Sequence, residues 1–105
     1  MYRLEYLPIA KQDMTDIARY ISHELSNPVA AERLANEMIA AAEKLVAFPY
    51  SHLAYQPIRP LQQEYRRLLV QNYLMFYWVD EAQKLITVAR VIYSRRDYEK
   101  LLDSR

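Results

Sequence analysis

Glu64–Tyr98 reads EYRRLLVQNYLMFYWVDEAQKLITVARVIYSRRDY, and this stretch decides the fold. Apolar, aromatic and β-branched residues fill Tyr65–Gln71, Tyr73–Val79 and Leu85–Tyr93, three runs of strand length. Gln71-Asn72 makes a tight turn, because asparagine tolerates left-handed backbone. Asp80–Lys84 makes a longer polar hairpin loop. Short connections of this kind join antiparallel neighbours. The last strand runs straight into Arg95-Arg96-Asp97, which sets fixed positive charge at the end of a rigid sheet.

Upstream, the pattern changes period. Tyr2–Leu7 alternates Tyr2, Leu4 and Tyr6 with Arg3 and Glu5, as a half-buried strand does. Pro8 suits the first helical turn, where its missing N–H costs nothing. From Ile9 to about Leu25, Ala10, Met14, Ile17, Ile21 and Leu25 recur at helical spacing. Ser26-Asn27-Pro28 stops that helix and starts the next, with Asn27 as N-cap. The second helix carries Ala31, Leu34, Ala35, Met38, Ala42 and Leu45 on one stripe and ends at Phe48-Pro49. So short a connector predicts an antiparallel helical hairpin. Tyr50–Gln63, with Pro57 and Pro60, reads as an ordered loop or a short strand, and Ser94–Leu102 as a short helix or tail. The expected architecture is α+β, in the order β-α-α-β-β-β, with the hairpin packed on one face of an antiparallel sheet.

Composition bounds the function. One hundred and five residues make a single domain, residues 1–105, and no cysteine is present to make disulfides or thiolate metal sites. No glycine is present either, so a glycine-dependent phosphate loop cannot be built. No apolar run approaches the roughly 18 to 20 residues that cross a bilayer, and the N-terminus has no signal-like core, which predicts a cytoplasmic protein with no membrane partner. Residues 1–58 hold five Lys/Arg against seven Asp/Glu, a balance of −2. Residues 59–105 hold nine against six, a balance of +3, so the sheet-bearing half faces any acidic partner. That excess is small for a protein that lives on nucleic acid.

Few residues look like chemistry. His23 and His52 have no partner at metal or triad spacing, no serine sits in a nucleophile elbow, and we expect neither metal nor cofactor. Asp13/Asp16 and Asp80/Glu81 read as a solvated helix face and a turn. The concentrated cations are Arg66, Arg67, Arg90, Arg95 and Arg96, whose forks suit phosphate or carboxylate. Taken singly, Arg96 pairs with Asp97 while Arg66 and Arg67 straddle a strand edge; taken together, the five form a target-binding surface. Tyr50, Tyr55, Tyr93 and Tyr98 could stack on bases. On the central strand, Tyr73, Met75, Tyr77 and Val79 should meet the helices, leaving Leu74, Phe76 and Trp78 on the other face. These three read as an exposed apolar patch for a partner, unless the tail or a second copy covers them.

The motifs A-x-x-D-M-x-x-I-x-x-Y-I over Ala10–Ile21 and N-P-x-A-A-x-R-L over Asn27–Leu34 resemble the toxins of RelE/ParE type II toxin–antitoxin modules. So do Phe48-Pro49, YRRLLVQNYLMFYWVD at Tyr65–Asp80 and RVIYSRRDY at Arg90–Tyr98, in order along nearly the whole chain. The resemblance implies a small toxin held in a hetero-oligomer by a cognate antitoxin, with Leu74, Phe76 and Trp78 as antitoxin-binding candidates. Two activities occur in such toxins. ParE-like members inhibit DNA gyrase by binding, for which Arg66, Arg67, Arg90, Arg95 and Arg96 are the contact candidates. RelE-like members cut mRNA on the ribosome, for which Arg66, Arg67, Arg95, Arg96 and Tyr98 would be the catalytic candidates. RelE-like nucleases usually carry an arginine after the tyrosine of the central strand, and here that position is Leu74. With the weak net charge, this departure favours the ParE-like, gyrase-directed branch.

Overall fold

The computed structural model describes residues 1–57, 61 and 63–103. The Pro60 part of the expected loop and the last two residues lie outside them. The chain runs β1 (Arg3–Tyr6), α1 (Pro8–Arg19), a π-helical segment (Tyr20–Glu24), α2 (Pro28–Lys44), β2 (Arg66–Val70), β3 (Tyr73–Asp80), β4 (Leu85–Tyr93) and α3 (Tyr98–Asp103). The α+β class and the element order follow the sequence reading.

Pro8 opens α1 without a side-chain cap. The first helix keeps α geometry only to Arg19 and then widens, the Leu25 N–H reaching the Tyr20 carbonyl at 3.2 Å. Ser26 closes the segment with φ 50. Asn27 caps α2, its Oδ1 accepting the Ala30 N–H at 3.1 Å. Turns from Leu45 onward finish that helix ahead of Pro49.

The sheet order is β1-β4-β3-β2. β2, β3 and β4 are antiparallel, as expected. β1 adds in parallel to β4, with Arg3 opposite Leu85 and Tyr6 opposite Val88, so the sheet is mixed at this edge. The return is parallel because α1 and α2 carry the chain across the sheet between β1 and the hairpin strands, as a helical crossover does. One irregularity interrupts β3–β4: Phe76 faces Arg90 and Tyr77 faces Val88, leaving Ala89 as a bulge.

The main core lies between the helices and the sheet, around Leu34, Met38, Leu45, Leu68, Met75, Tyr77, Ile86 and Val88. Tyr77 is fully buried, and its hydroxyl donates to the Pro49 carbonyl at 3.0 Å, which satisfies the one polar atom the ring carries inward. A second cluster occupies the opposite face. There Leu74, Phe76 and Ile92 are covered by Leu102 of α3, with Tyr55, Leu61, Tyr65, Tyr98 and Leu101 around them. Phe76 is 0% exposed and meets three rings, Tyr55, Tyr65 and Tyr98, at 5.8, 6.2 and 5.4 Å. This corrects the expected exposed patch: Leu74 and Phe76 are buried beneath the chain's own loop and last helix, and only Trp78 stays partly open, edge-on to Tyr65. Among the described residues, no helix is long and apolar enough to cross a membrane.

Candidate functional site

Strand alternation separates the two arginines of β2. Leu68 and Val70 point into the main core, so Arg66 shares the helix side while Arg67 and Leu69 face the other way. Arg66 is a tether. Its Nη1 donates to the His52 carbonyl at 2.7 Å, its guanidinium lies 4.8 Å from the Tyr50 ring centre, and Glu64 sits 3.6 Å away. With 18% of its side chain exposed, it holds the loop after α2 against the sheet, instead of the open strand-edge position expected for it.

Arg67 belongs to the C-terminal face. Its Nη1 donates to the Tyr98 hydroxyl at 3.1 Å, and its guanidinium stands 4.9 Å from the Tyr55 ring and 5.8 Å from that of Tyr98. The two rings meet edge-on at 5.7 Å. Tyr55 in turn donates to Glu99 at 3.1 Å, and burial together with that bond pushes its pKa up to about 12. An open groove of about 460 Å³ lies along this cluster, lined by Tyr55, Gln56, Arg67, Arg96, Asp97, Tyr98 and Glu99.

At the end of β4 the cations divide again. Arg90 grips Asp13 of α1 with two bonds, Nε to Oδ2 at 2.8 Å and Nη2 to Oδ1 at 3.0 Å. The Asp13 carboxylate also accepts the Val91 N–H at 2.9 Å. Arg90 therefore clamps β4 to α1, with 18% of its side chain exposed, a pairing that its reading as a target contact did not include. Arg95 and Arg96 are exposed and make no ion pair with any described residue. Asp97 does not pair with Arg96. Its Oδ1 accepts the Lys100 N–H at 3.3 Å and so caps α3. Arg96 also borders a second groove of about 720 Å³, between α1 with its π-helical extension and the end of β4, floored by Tyr73 and Tyr93. Those two rings lie 5.6 Å apart.

The family model for the ParE toxin of the type II toxin–antitoxin system parDE matches residues 4–98. The chain belongs to the ParE toxin family. Its structure is similar to that of the chromosomal ParDE system from P. aeruginosa, at 17% identity and TM-score 0.71, over 89% of this chain and 96% of that one. It is also similar to the RelBE2 toxin–antitoxin complex from Mycobacterium tuberculosis, at 15% identity and TM-score 0.63, over 88% and 96%. The E. coli RelBE complex follows the same fold at 13% identity and TM-score 0.57, over 91% and 100%. At these identities the likeness is one of fold. No curated protein matches the sequence.

Within this ParE-family chain, the five candidate arginines do not converge. Arg66 is bonded to the His52 carbonyl, Arg90 to Asp13 and Arg67 to Tyr98, and Arg95 and Arg96 make no ion pair among the described residues. His23 is on the π-helical segment, and His52 packs edge-on against Tyr77 at 6.4 Å with Nδ1 beside Ser51. Among the described residues no cluster could hold a metal ion. Sequence reasoning passed over Asp13, whose partner lies 77 residues away with no local signal to connect them. Tyr98 and Arg67 were both candidates of the RelE-like alternative and Tyr55 only an aromatic residue, but nothing in the sequence joined the three.

Proposed function

We propose that this chain is a ParE-like toxin that inhibits DNA gyrase by binding and is neutralised by a cognate antitoxin. The observation that carries the reading is the end of β4: Arg95 and Arg96 make no ion pair with any described residue, and Asp97, the carboxylate beside them, is engaged in capping α3. Cleaving RNA needs a base for the 2′-hydroxyl and cations at the phosphate together. Exposed, unpaired cations suit recognition, and the neighbouring Asp97 is committed to a helix cap. The central strand supports the same choice, because Leu74 stands where a RelE-like nuclease carries an arginine and is buried in the outer apolar cluster. Antitoxin neutralisation is supported by the three structurally similar systems, each described as a toxin–antitoxin system or complex. Both candidate targets are cytoplasmic, so activity is expected there.

One observation favours a RelE-like second reading. Arg67 bonded to Tyr98, with Arg96 on the same groove, sets two cations and a phenol along one surface. A ribosome-dependent endoribonuclease acting on mRNA would use it. Gyrase supercoiling and ribosome-primed mRNA cleavage, run on one preparation, separate the two. Inhibited supercoiling with cleaved DNA accumulating supports the gyrase reading; cut mRNA with untouched gyrase overturns it.

A further inference from the structure

Two weaknesses of the sheet coincide at one place. β1 covers β4 only as far as Val88, because Leu7 makes the last bond to the Val88 carbonyl at 2.9 Å and Pro8 then turns the chain into α1. The next residue of β4, Ala89, is the bulge that interrupts pairing with β3. From Arg90 onward the strand has therefore lost one neighbour and just slipped against the other. A bulge bends and overtwists the strand that carries it, so the direction of Arg90–Tyr93 is not set by the ladder alone.

Asp13 supplies what is missing. One carboxylate takes the Val91 N–H, as a neighbouring strand would, and both nitrogens of the Arg90 fork. The pair is largely withdrawn from water, with 14% of the Asp13 and 18% of the Arg90 side chain exposed. Charge-assisted, two-pronged bonds fix orientation as well as distance. β4 runs on to Tyr93, roughly 10 Å of strand beyond Arg90, and Arg95 and Arg96 sit on the turn that follows, where the Arg96 N–H bonds the Tyr93 carbonyl at 3.0 Å. A swing of about 10° at the clamp, well inside the normal range of strand twist, would carry the strand end and the turn on it by about 1.7 Å.

We propose that Asp13 is a positioning residue for the free cationic corner: through Arg90 and the Val91 amide it sets where β4 delivers Arg95 and Arg96. This rests on the reading above that Arg95 and Arg96 meet the target, and it adds the residue that aims them. Asp13 itself touches no target.

The test compares D13N, D13E, R90Q and D13N/R90Q in the full-length protein, with two readouts. In supercoiling inhibition, D13N and R90Q should each lose tenfold or more in potency, the double variant should be no worse than the poorer single, and D13E should recover to within about threefold of the parent. In NMR, D13N should lose amide protection at Val91–Tyr93 and shift the Arg95 and Arg96 side-chain signals, while helix α2 keeps its protection. Wild-type potency in D13N, additive losses in the double variant, or unmoved Arg95 and Arg96 signals would each overturn the proposal. If the parent protein leaves gyrase untouched, the gyrase reading fails by itself, and the NMR readout still decides the positioning role. If D13N does not fold, R90Q and D13E carry the comparison.

Discussion

Arg66 and Arg67 are adjacent on β2 yet serve opposite faces of the sheet, the first donating to the His52 carbonyl at 2.7 Å and the second to the Tyr98 hydroxyl at 3.1 Å. One fastens the loop that follows α2 and the other fastens α3. Neighbouring arginines thus hold down two separate parts of the molecule, and their substitutions should be separable. R67Q removes one hydrogen bond and two ring contacts, costing about 1 kcal/mol. Hydrogen exchange should then quicken over Tyr98–Leu102 and stay unchanged over Pro49–Ala54. R66Q should give the reverse pattern.

Phe76 is the keystone of the outer cluster. F76A should cost about 3–5 kcal/mol in urea unfolding, because the ring is wholly enclosed and the three tyrosines around it cannot all collapse into the space. A loss under 1 kcal/mol would mean that α3 and the loop do not cover this face in solution.

Trp78 is the one member of its trio still partly open, and it tests antitoxin docking without the confusion of a buried site. W78A should weaken the antitoxin complex by about 2 kcal/mol if the ring is a contact hot spot, with little change in Tm. Calorimetric titration of the purified pair measures the first and thermal unfolding the second. A fall in Tm with unchanged affinity would assign Trp78 to packing alone.

Glu81 gathers Lys84, Tyr50 and Tyr2 around its carboxylate, and their hydrogen bonds hold its pKa at about 2 against an ordinary 4.5. A depressed carboxylate stabilises the fold above its unfolded value and loses that contribution as the pH falls. The wild-type protein should therefore lose its advantage over E81Q between pH 4.5 and 2. The partner titrates oppositely. Tyr50, pushed up to about 12 chiefly by its bond to Glu81, favours the folded state below pH 10 and ceases to as the pH climbs towards 12. Ultraviolet titration should find Tyr50 ionising earlier in E81Q.

Ser26 carries φ 50 in a chain without glycine. A side chain at that angle costs about 1 kcal/mol or somewhat more, and glycine relieves it while loosening the unfolded chain. S26G should raise stability by about 0.5 kcal/mol. Gln71 and Lys84 share the same backbone region at φ 54 and 53, but their side chains bond Glu37 and Glu81, so glycine there should bring no gain.

Much of the fold was legible because it is periodic. Alternation marked β1 to β4, the 3.6-residue stripe marked both helices, and Asn27-Pro28 announced α2 through capping chemistry that acts within four residues. The partner of β1 was not legible, since Tyr2, Leu4 and Tyr6 would alternate in the same way beside any strand. Nor was the outer cluster, because α3 has six residues, too few to show a stripe, and its cover over Phe76 is made by residues from three separate segments. The arginines were legible as charges but not as roles. Whether a guanidinium is free depends on what faces it across space: Asp13 for Arg90, the His52 carbonyl for Arg66, and no ion-pair partner among the described residues for Arg95 and Arg96.

The pairing of Arg3 with Leu85 has a consequence for biosynthesis. A growing chain can wind its helical hairpin early from local bonds, but its first strand finds no neighbour until Leu85–Val88 have been made. Contacts of such long separation close late and slowly. The sheet that leads into Arg95 and Arg96 is thus completed only once Leu85–Val88 have been made, so its first strand is its last to be paired.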